Sequence, residues 1–428
     1  MKILILGGTG FIGTVVLQRL LADGHRVTGL GRDIRRAHSR YPQADWIAAD
    51  LATLQEPDAW RPLLADQDAI VNCAGALQDG LSDDLVATQQ NAMLTLYRAA
   101  QDEKIRHIVQ ISARVDGAGA DLPFLATKRI ADAALATSGL PHTILRPALV
   151  VGRNAFGGTA LLRALAAFPF VLPLIHPGSP LETVDVDDVA KAVSAALEGS
   201  LGTKADLDLA ATGALSLKDA LALHRAWLGL DPAGTVELPP VLARPVTALA
   251  DLAGHLGWRS PLRSTAMAIM AEGVIHGPTA APAPLPLKTL AETLASHPAG
   301  VQDLWFARLY LLKAPVILTL SLFWLLSGLV PLLDTARAAA HFAPLMAPAA
   351  ALAVLLLTCL IDVGLGLAIL VRPWARYAMI GMLTVTVGYL GSATLVEPAL
   401  WTDPLGPLVK VPPSILLTLV SLAILEER

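Results

Sequence analysis

The apolar positions along this chain follow two regimes. Up to about residue 230 they come as short runs between glycine-rich turns and helically spaced segments. Lys2–Leu6 reads as a buried strand, and "TVVLQRLLADG" carries apolar residues at helical spacing, with Gly24 as its stop. "HRVTGLGR", "ADWIAADLA", "DAIVNCAGA", "RHIVQISA" and "HTILRPALVVG" predict further strands. "DDLVATQQNAMLTLYRAAQDE" and "FLATKRIADAALATSG" predict helices between them. Strands alternating with helices mean an α/β, Rossmann-like, doubly wound parallel sheet, with ligands beyond the carboxyl ends of its strands.

After Gln302–Asp303 the regime changes. Four apolar runs follow, at about 309–333, 347–371, 375–396 and 405–425. Each approaches the roughly 20 residues that cross about 30 Å of hydrocarbon, which predicts an all-α four-helix transmembrane bundle. Between the regimes, 201–229 reads as a strand, a turn and a helix, and "VELPPVLARPVTALADLAGHLGW" and "PLRSTAMAIMAEGVI" predict helices that cap the cleft. A Pro- and Ala-rich connector then leads to Leu287, Leu290 and Leu294, whose helical spacing suits packing on the soluble part. The expected domains are 1–230 for the nucleotide fold, 231–304 for the cap and connector, and 305–428 for the membrane part.

Composition agrees with this division. Hydrophobic residues make up 54% and charged residues 16%, with a mean hydropathy of +0.56, against about 25% charged in ordinary soluble domains. A net charge of −4 without a long basic run argues against nucleic acid as a partner. Cys73 and Cys359 lie far apart in unrelated contexts, so neither a disulfide framework nor a metal site is expected. The opening "MKILILGGTG" is short, lacks a small-residue cleavage site and reads as a strand rather than a signal peptide. Arg308, Lys313, Arg372 and Arg376 flank the apolar runs, whereas the loop "VEPALWTDP" carries only acids. The positive-inside rule then makes this a multi-pass protein of the cell inner membrane, with the N-terminal domain and the C-terminus cytoplasmic. Asp362 lies deep in the second run, where a carboxyl is costly; a functional role and a structural contact, to Lys410 or within the bundle, are both open.

The first turn suggests chemistry. Gly7, Gly10 and Gly13 recur at spacing three between a strand and a helix. Such glycines allow a tight turn, close approach of a pyrophosphate and close helix–sheet packing, while the helix N-terminus offers free N–H groups to the phosphates. The next strand ends "GLGRDIRR". Arg32 stands where a carboxylate would hold the ribose 2′-OH of NAD, and a guanidinium suits a 2′-phosphate, so NADP(H) is expected over NAD(H); Asp33 leaves NAD(H) open.

"GGTGFIG", Asp50-Leu51, "NCAG", Asn91, Ser112, Lys128, "LRP" at Leu145 and "VDVDDVA" together resemble the atypical and extended short-chain dehydrogenase/reductase superfamily. The resemblance covers about residues 1–230 and is nearest in flavour to the NmrA-like group and the nucleotide-binding accessory subunit of respiratory complex I. It implies that Gly7, Thr9, Gly10, Phe11 and Ile12 line the phosphates and that Asp50 and Leu51 lie near the adenine. It further implies that Ala74 and Gly75 pass beside the adenine ribose and that Lys128 binds the nicotinamide ribose. Ser112 and Lys128 stand at catalytic positions, but Phe124 stands where that family has the acid Tyr. Positioned proton transfer is worth about 10²–10⁴-fold in rate, and Phe cannot supply it. Tyr97 and His142 are other acids by type, with nothing to aim them at a nicotinamide. The four apolar runs resemble the DoxX-like membrane family.

Two functions follow as expectations. One is a membrane-anchored, atypical NAD(P)(H)-dependent oxidoreductase acting on a quinone or an apolar carbonyl. The other is a non-catalytic NAD(P)H-binding scaffold, assembly factor or sensor for a membrane protein complex.

Overall fold

The computed structural model describes residues 1–75, 79–81, 83–114, 118–275, 280–342, 345–404 and 406–426. Residues 276–279 of the expected connector and residue 405 of the last apolar run lie outside the described residues. The chain divides into two units. The first holds Met1–Asp251 and Ser260–Ala307, the second Leu252–Arg259 and Arg308–Arg428.

The first unit is built on eight strands: β1 (Lys2–Leu6), β2 (Arg26–Gly31), β3 (Asp45–Ala48), β4 (Ala69–Asn72), β5 (His107–Ile111), β6 (His142–Pro147), β7 (Ala205–Leu209) and β8 (Ala281–Pro282). They order as β8-β7-β6-β5-β4-β1-β2-β3, and every pair is parallel. Parallel neighbours need crossovers, which the helices supply. These are α1 (Phe11–Ala22), α2 (Ala92–Asp102), α3 (Pro123–Thr137), α4 (Gly158–Ala166), α5 (Val186–Leu197) and α6 (Leu217–Trp227).

Strand β1 shows why both faces are covered. Its side chains alternate, so Ile3 and Ile5 enter one core with Val16 and Leu20 of α1 and Val189 and Val193 of α5. Leu4 and Leu6 enter the other core with Trp60, Met93, Leu96 and Leu135. All four strand residues are completely buried, which is how a strand covered on both sides reads as an unbroken apolar run. A third core joins α4 and α6 to Leu290 and Leu294. Helices α7 (Arg244–His255), α8 (Ser264–Glu272), α9 (Leu290–Ser296) and α10 (Val301–Tyr310) follow. The predicted long helix before β5 is two pieces, a π-helical turn at Val86–Asn91 and then α2.

The second unit contains α11 (Lys313–Leu329), α12 (Pro348–Ala368), α13 (Arg372–Val396) and α14 (Val411–Ala423). Among the described residues three stretches are long and apolar enough to cross a membrane: Lys313–Ala340, Pro348–Ala368 and Arg372–Val396. The fourth expected span is shorter than the sequence suggested. Helix α14 has 13 residues, which rise only about 20 Å. The cause is local: Pro412 and Pro413 sit in its first turn, where proline starts a helix but cannot extend one backwards.

Helices α11 and α12 pack closely because glycine lets them. A Cβ on Gly328 would lie 2.6 Å from the Cys359 carbonyl oxygen, and one on Gly366 would lie 3.0 Å from the Leu325 nitrogen. The Ser321 hydroxyl donates to the Gly366 carbonyl at 2.7 Å. Association in lipid rests on such close packing and hydrogen bonding, since burying apolar surface gains little there. Asp362 accepts from the hydroxyls of Ser327 (2.7 Å) and Tyr389 (3.0 Å), so it links α11, α12 and α13. Among the described residues no ion pair joins it to Lys410.

Gly366→Leu is therefore expected to cost about 2 kcal/mol through overpacking and to lower the melting temperature of the detergent-solubilised protein. An unchanged melting temperature would mean the two helices are free to move apart.

Candidate functional site

The carboxyl ends of β1, β2, β4 and β5 carry the residues singled out above. The turn after β1 is held by the Gly10 N–H donating to the Gly7 carbonyl at 2.9 Å, with Gly7 at φ +69°. The approach is so close that side chains are excluded. A Cβ on Gly7 would lie 2.8 Å from Cα of Ala74, and one on Gly13 would lie 2.2 Å from the Gly7 carbonyl oxygen. Helix α1 starts at Gly10 without a side-chain cap and with no acidic residue in its first turn. Its first N–H groups and its positive dipole end therefore suit an anion. This bare glycine cradle fits the pyrophosphate of a dinucleotide.

Thr9 lies against the end of β2, its Oγ1 3.2 Å from where a Cβ on Gly31 would be. Phe11 stacks on Phe156 with ring centroids 6.5 Å apart, and Ile12 packs on the core beneath the sheet. Asp50 accepts from the Ala52 N–H at 3.1 Å, and the neighbouring Leu51 is buried. Asn72, at the end of β4, positions the next stretch: its Oδ1 accepts from the Ala74 N–H and its Nδ2 donates to Gln110. Arg32 pairs with Asp83 at 2.8 Å. Asp33 accepts from the Arg35 N–H, which holds its carboxyl below the usual carboxylate range.

Helix α3 brings Phe124, Lys128 and Asp132 onto one face, each four residues from the last. The Lys128 ammonium donates to the Ile111 carbonyl at 3.0 Å, lies 5.8 Å from the centre of the Phe124 ring, and is 3.6 Å from where a Cβ on Gly75 would be. Burial pushes this ammonium below its ordinary range, with the nearby Asp132 pulling the other way. Cys73 nearby is half-buried; desolvation pushes its thiol up to about 12, which makes it a poor nucleophile.

Ser112 belongs to a different network. Its hydroxyl donates to Asp132, which also accepts from Arg146 at 2.9 Å. Arg146 in turn holds Asp206 through two parallel bonds of 2.7 and 2.8 Å and donates to the Ala113 carbonyl. A guanidinium forked onto one carboxylate and shared with a second satisfies most of the charge this burial would otherwise leave exposed. The sequence reading did not pick out Asp132, Arg146 or Asp206. Asp132 was visible as the residue one turn beyond Lys128, but Asp206 joins only through the pairing of β6 with β7.

The other acids by type are engaged elsewhere. The Tyr97 hydroxyl is buried and donates to Gln110 at 3.3 Å, and His142 Nδ1 lies 2.8 Å from the Leu140 carbonyl. The "VDVDDVA" stretch caps α5 and clasps a neighbouring segment. Asp185 accepts from the Asp187 N–H and the Lys288 ammonium, and Asp188 accepts from the Lys288 N–H. Asp185, Asp187 and His297 are grouped closely enough for a cation, but the Lys288 ammonium already lies 2.8 Å from Asp185.

Comparison with known proteins agrees with this geometry. Residues 7–199 match the NAD(P)H-binding family and residues 321–419 match the DoxX-like family. An uncharacterized protein of Mycobacterium tuberculosis is 29% identical over 255 residues, covering 59% of this chain and 26% of its own length. The photosystem II assembly factor Ycf39 of Synechocystis is 28% identical over 149 residues, covering 34% of this chain and 44% of that protein. The chain thus spans between a quarter and a half of the length of these relatives. Among solved structures, the Bordetella bronchiseptica enzyme WbmH in complex with NAD+ superposes with a TM-score of 0.50 at 19% identity, over 72% of this chain and 98% of that one. A nucleoside-diphosphate-sugar epimerase from Staphylococcus aureus gives 0.51 at 16% identity, over 69% and 99%. At such identities these two structures speak for the fold alone. Residues 7–199 are thus similar to NAD(P)H-binding domains and residues 321–419 to the DoxX-like family.

Proposed function

We propose that this is an atypical NADP(H)-dependent oxidoreductase of the cell inner membrane, and that it reduces a lipophilic acceptor such as a quinone or an apolar carbonyl. The observation that carries the reading is the pair Phe124–Lys128. The Lys128 ammonium is buried 5.8 Å from the centre of the Phe124 ring, at the two positions where the resembled family has a ribose-binding lysine and, one turn earlier, its acid tyrosine. A bound nicotinamide nucleotide would supply the hydride. The Gly7–Gly13 cradle would hold the pyrophosphate, Ala74 and Gly75 would border the adenine ribose, and Asp50 and Leu51 the adenine. Lys128 would hold the nicotinamide ribose, and Phe124 would exclude water beside it. The Ser112 proton is committed to Asp132, so that hydroxyl is not placed to protonate an alkoxide quickly. An acceptor whose reduced oxygens take protons from water suits such a site, and quinones belong to that class.

NADP(H) is the favoured nucleotide because β2 ends in Gly31-Arg32 with no acid to hold a ribose 2′-OH, and Asp33 is occupied by Arg35. Multi-pass insertion with both termini cytoplasmic is supported by the grouping of Lys313 and Arg372 around Trp258, at 5.7 and 5.5 Å from its ring. A second reading, a nucleotide-binding scaffold or assembly factor for a membrane complex, draws on the same Phe124 and on the similarity to an assembly factor.

Full-length protein in lipid nanodiscs is expected to oxidise bound NADPH in a single turnover when offered quinones, faster than a Gly10→Trp control. Tight binding without oxidation would favour the scaffold. Phe124→Tyr is expected to raise carbonyl reduction by about 10²-fold, the lower range for a positioned acid. A variant that binds NADPH and stays inert toward every carbonyl would remove the acid–base argument. Arg32→Ala is expected to weaken NADPH about tenfold, the loss of one charge-assisted hydrogen bond, and to leave NADH nearly unchanged. Equal weakening of the two would sink the phosphate role.

A further inference from the structure

We propose that α7 (Arg244–His255) lies in the surface of the bilayer as an interfacial helix, with its apolar stripe set into the acyl boundary. On α7 the stripe runs through Val246, Leu249 and Leu252, which are 47%, 63% and 59% exposed, and the 3-10 turn Pro240–Ala243 just before it adds Val241 and Leu242, 57% and 55% exposed. On the helix the three positions share one arc of about 120°. The opposite arc carries Arg244, Thr247, Asp251 and His255. That polar side is fixed to the protein: Asp251 accepts from Arg263 Nε at 3.2 Å and from the Ser264 N–H at 3.3 Å. The aliphatic side is therefore left outward by construction, and it is too continuous to count as scattered surface residues.

Lipid is the occupant that the chain itself indicates. The last turn of α7, Leu252–His255, and the turn that follows it to Arg259 belong to the membrane unit. There the Leu256 carbonyl accepts from the Arg372 N–H at 2.9 Å, and the Trp258 indole donates to the Leu370 carbonyl at 2.6 Å. Those contacts are at the end of α12 and the start of α13, where apolar spans meet a basic, tryptophan-bearing rim. Tryptophan and arginine gather at the headgroup level of membranes. Helix α10, which also passes from the first unit to the second, shows the same signature: Trp305 is 62% exposed and Arg308 follows one turn later. An amphipathic helix delivered to that level with its apolar face free has the character of a membrane-surface helix. Its ligand is the phospholipid surface, and this inference stands whether or not the chain is an enzyme.

The test uses the full-length protein in nanodiscs of phosphatidylcholine and phosphatidylglycerol. Cys73→Ala and Cys359→Ala would remove the native thiols, and Leu249→Cys or Thr247→Cys would carry an environment-sensitive NBD label. The expected result is a blue-shifted emission at 249 and quenching by acyl-chain spin-labelled lipid about threefold stronger than at 247, as an in-plane helix requires. Equal, weak quenching at both positions would overturn the proposal, because the stripe would face water. A blue shift at 249 without lipid quenching would also overturn it, because a protein surface, such as a second copy of this chain, would then cover the stripe. Val246→Cys provides the same reading should Leu249→Cys fail to fold.

Discussion

The nucleotide-binding unit depends on one close approach. The backbone of Gly7 passes so near to Ala74 and to Gly13 that a methyl group at either glycine has no room. That contact brings the end of β1, the start of α1 and the segment after β4 to a single point. It leaves the first turn of α1 uncapped, with N–H groups that need an anion more than they need the protein. The left-handed backbone at Gly7 is part of the same constraint, since a side chain there would strain the turn as well as fill it.

A second constraint decides what the mouth can do. Arg146 is buried and must be paired, and it takes Asp132 and Asp206 to do so. Asp132 in turn draws the Ser112 hydroxyl toward itself. The serine that the sequence offered for catalysis is thus held by a charge network, one helical turn from the lysine that faces the cofactor loop. At this mouth the serine hydroxyl is turned to a buried carboxylate, and the residue one turn before Lys128 is an apolar ring.

Much of this was legible in the sequence because it is local. The glycines, the strand–helix alternation and the i, i+4 relation of Phe124 to Lys128 are all encoded within a few residues of one another. The pairing of Arg32 with Asp83 crosses 51 residues, and that of Arg146 with Asp206 crosses 60, so neither leaves a pattern along the chain. The last apolar run is longer than its helix for a physical reason. Hydropathy registers Leu and Val on either side of Pro412 and Pro413, while helix length registers the prolines themselves. The π-helical turn at Val86–Asn91 was equally invisible, because the residues VATQQN carry the same helical periodicity as the α-helix that follows.

The division of the chain into units has a further consequence. The backbone passes between them three times, after Asp251, after Arg259 and after Ala307. The membrane unit is therefore not a tail attached at one point, because a short internal thread, Leu252–Arg259, has been donated to it from within the other unit's sequence. A chain ended after residue 307 would still carry that thread, with the Trp258 indole and the Leu256 carbonyl deprived of the partners that satisfy them. Three crossings mean that no single cut of the backbone separates the two units, so a change in the membrane unit has a covalent path into the sequence of the nucleotide-binding unit.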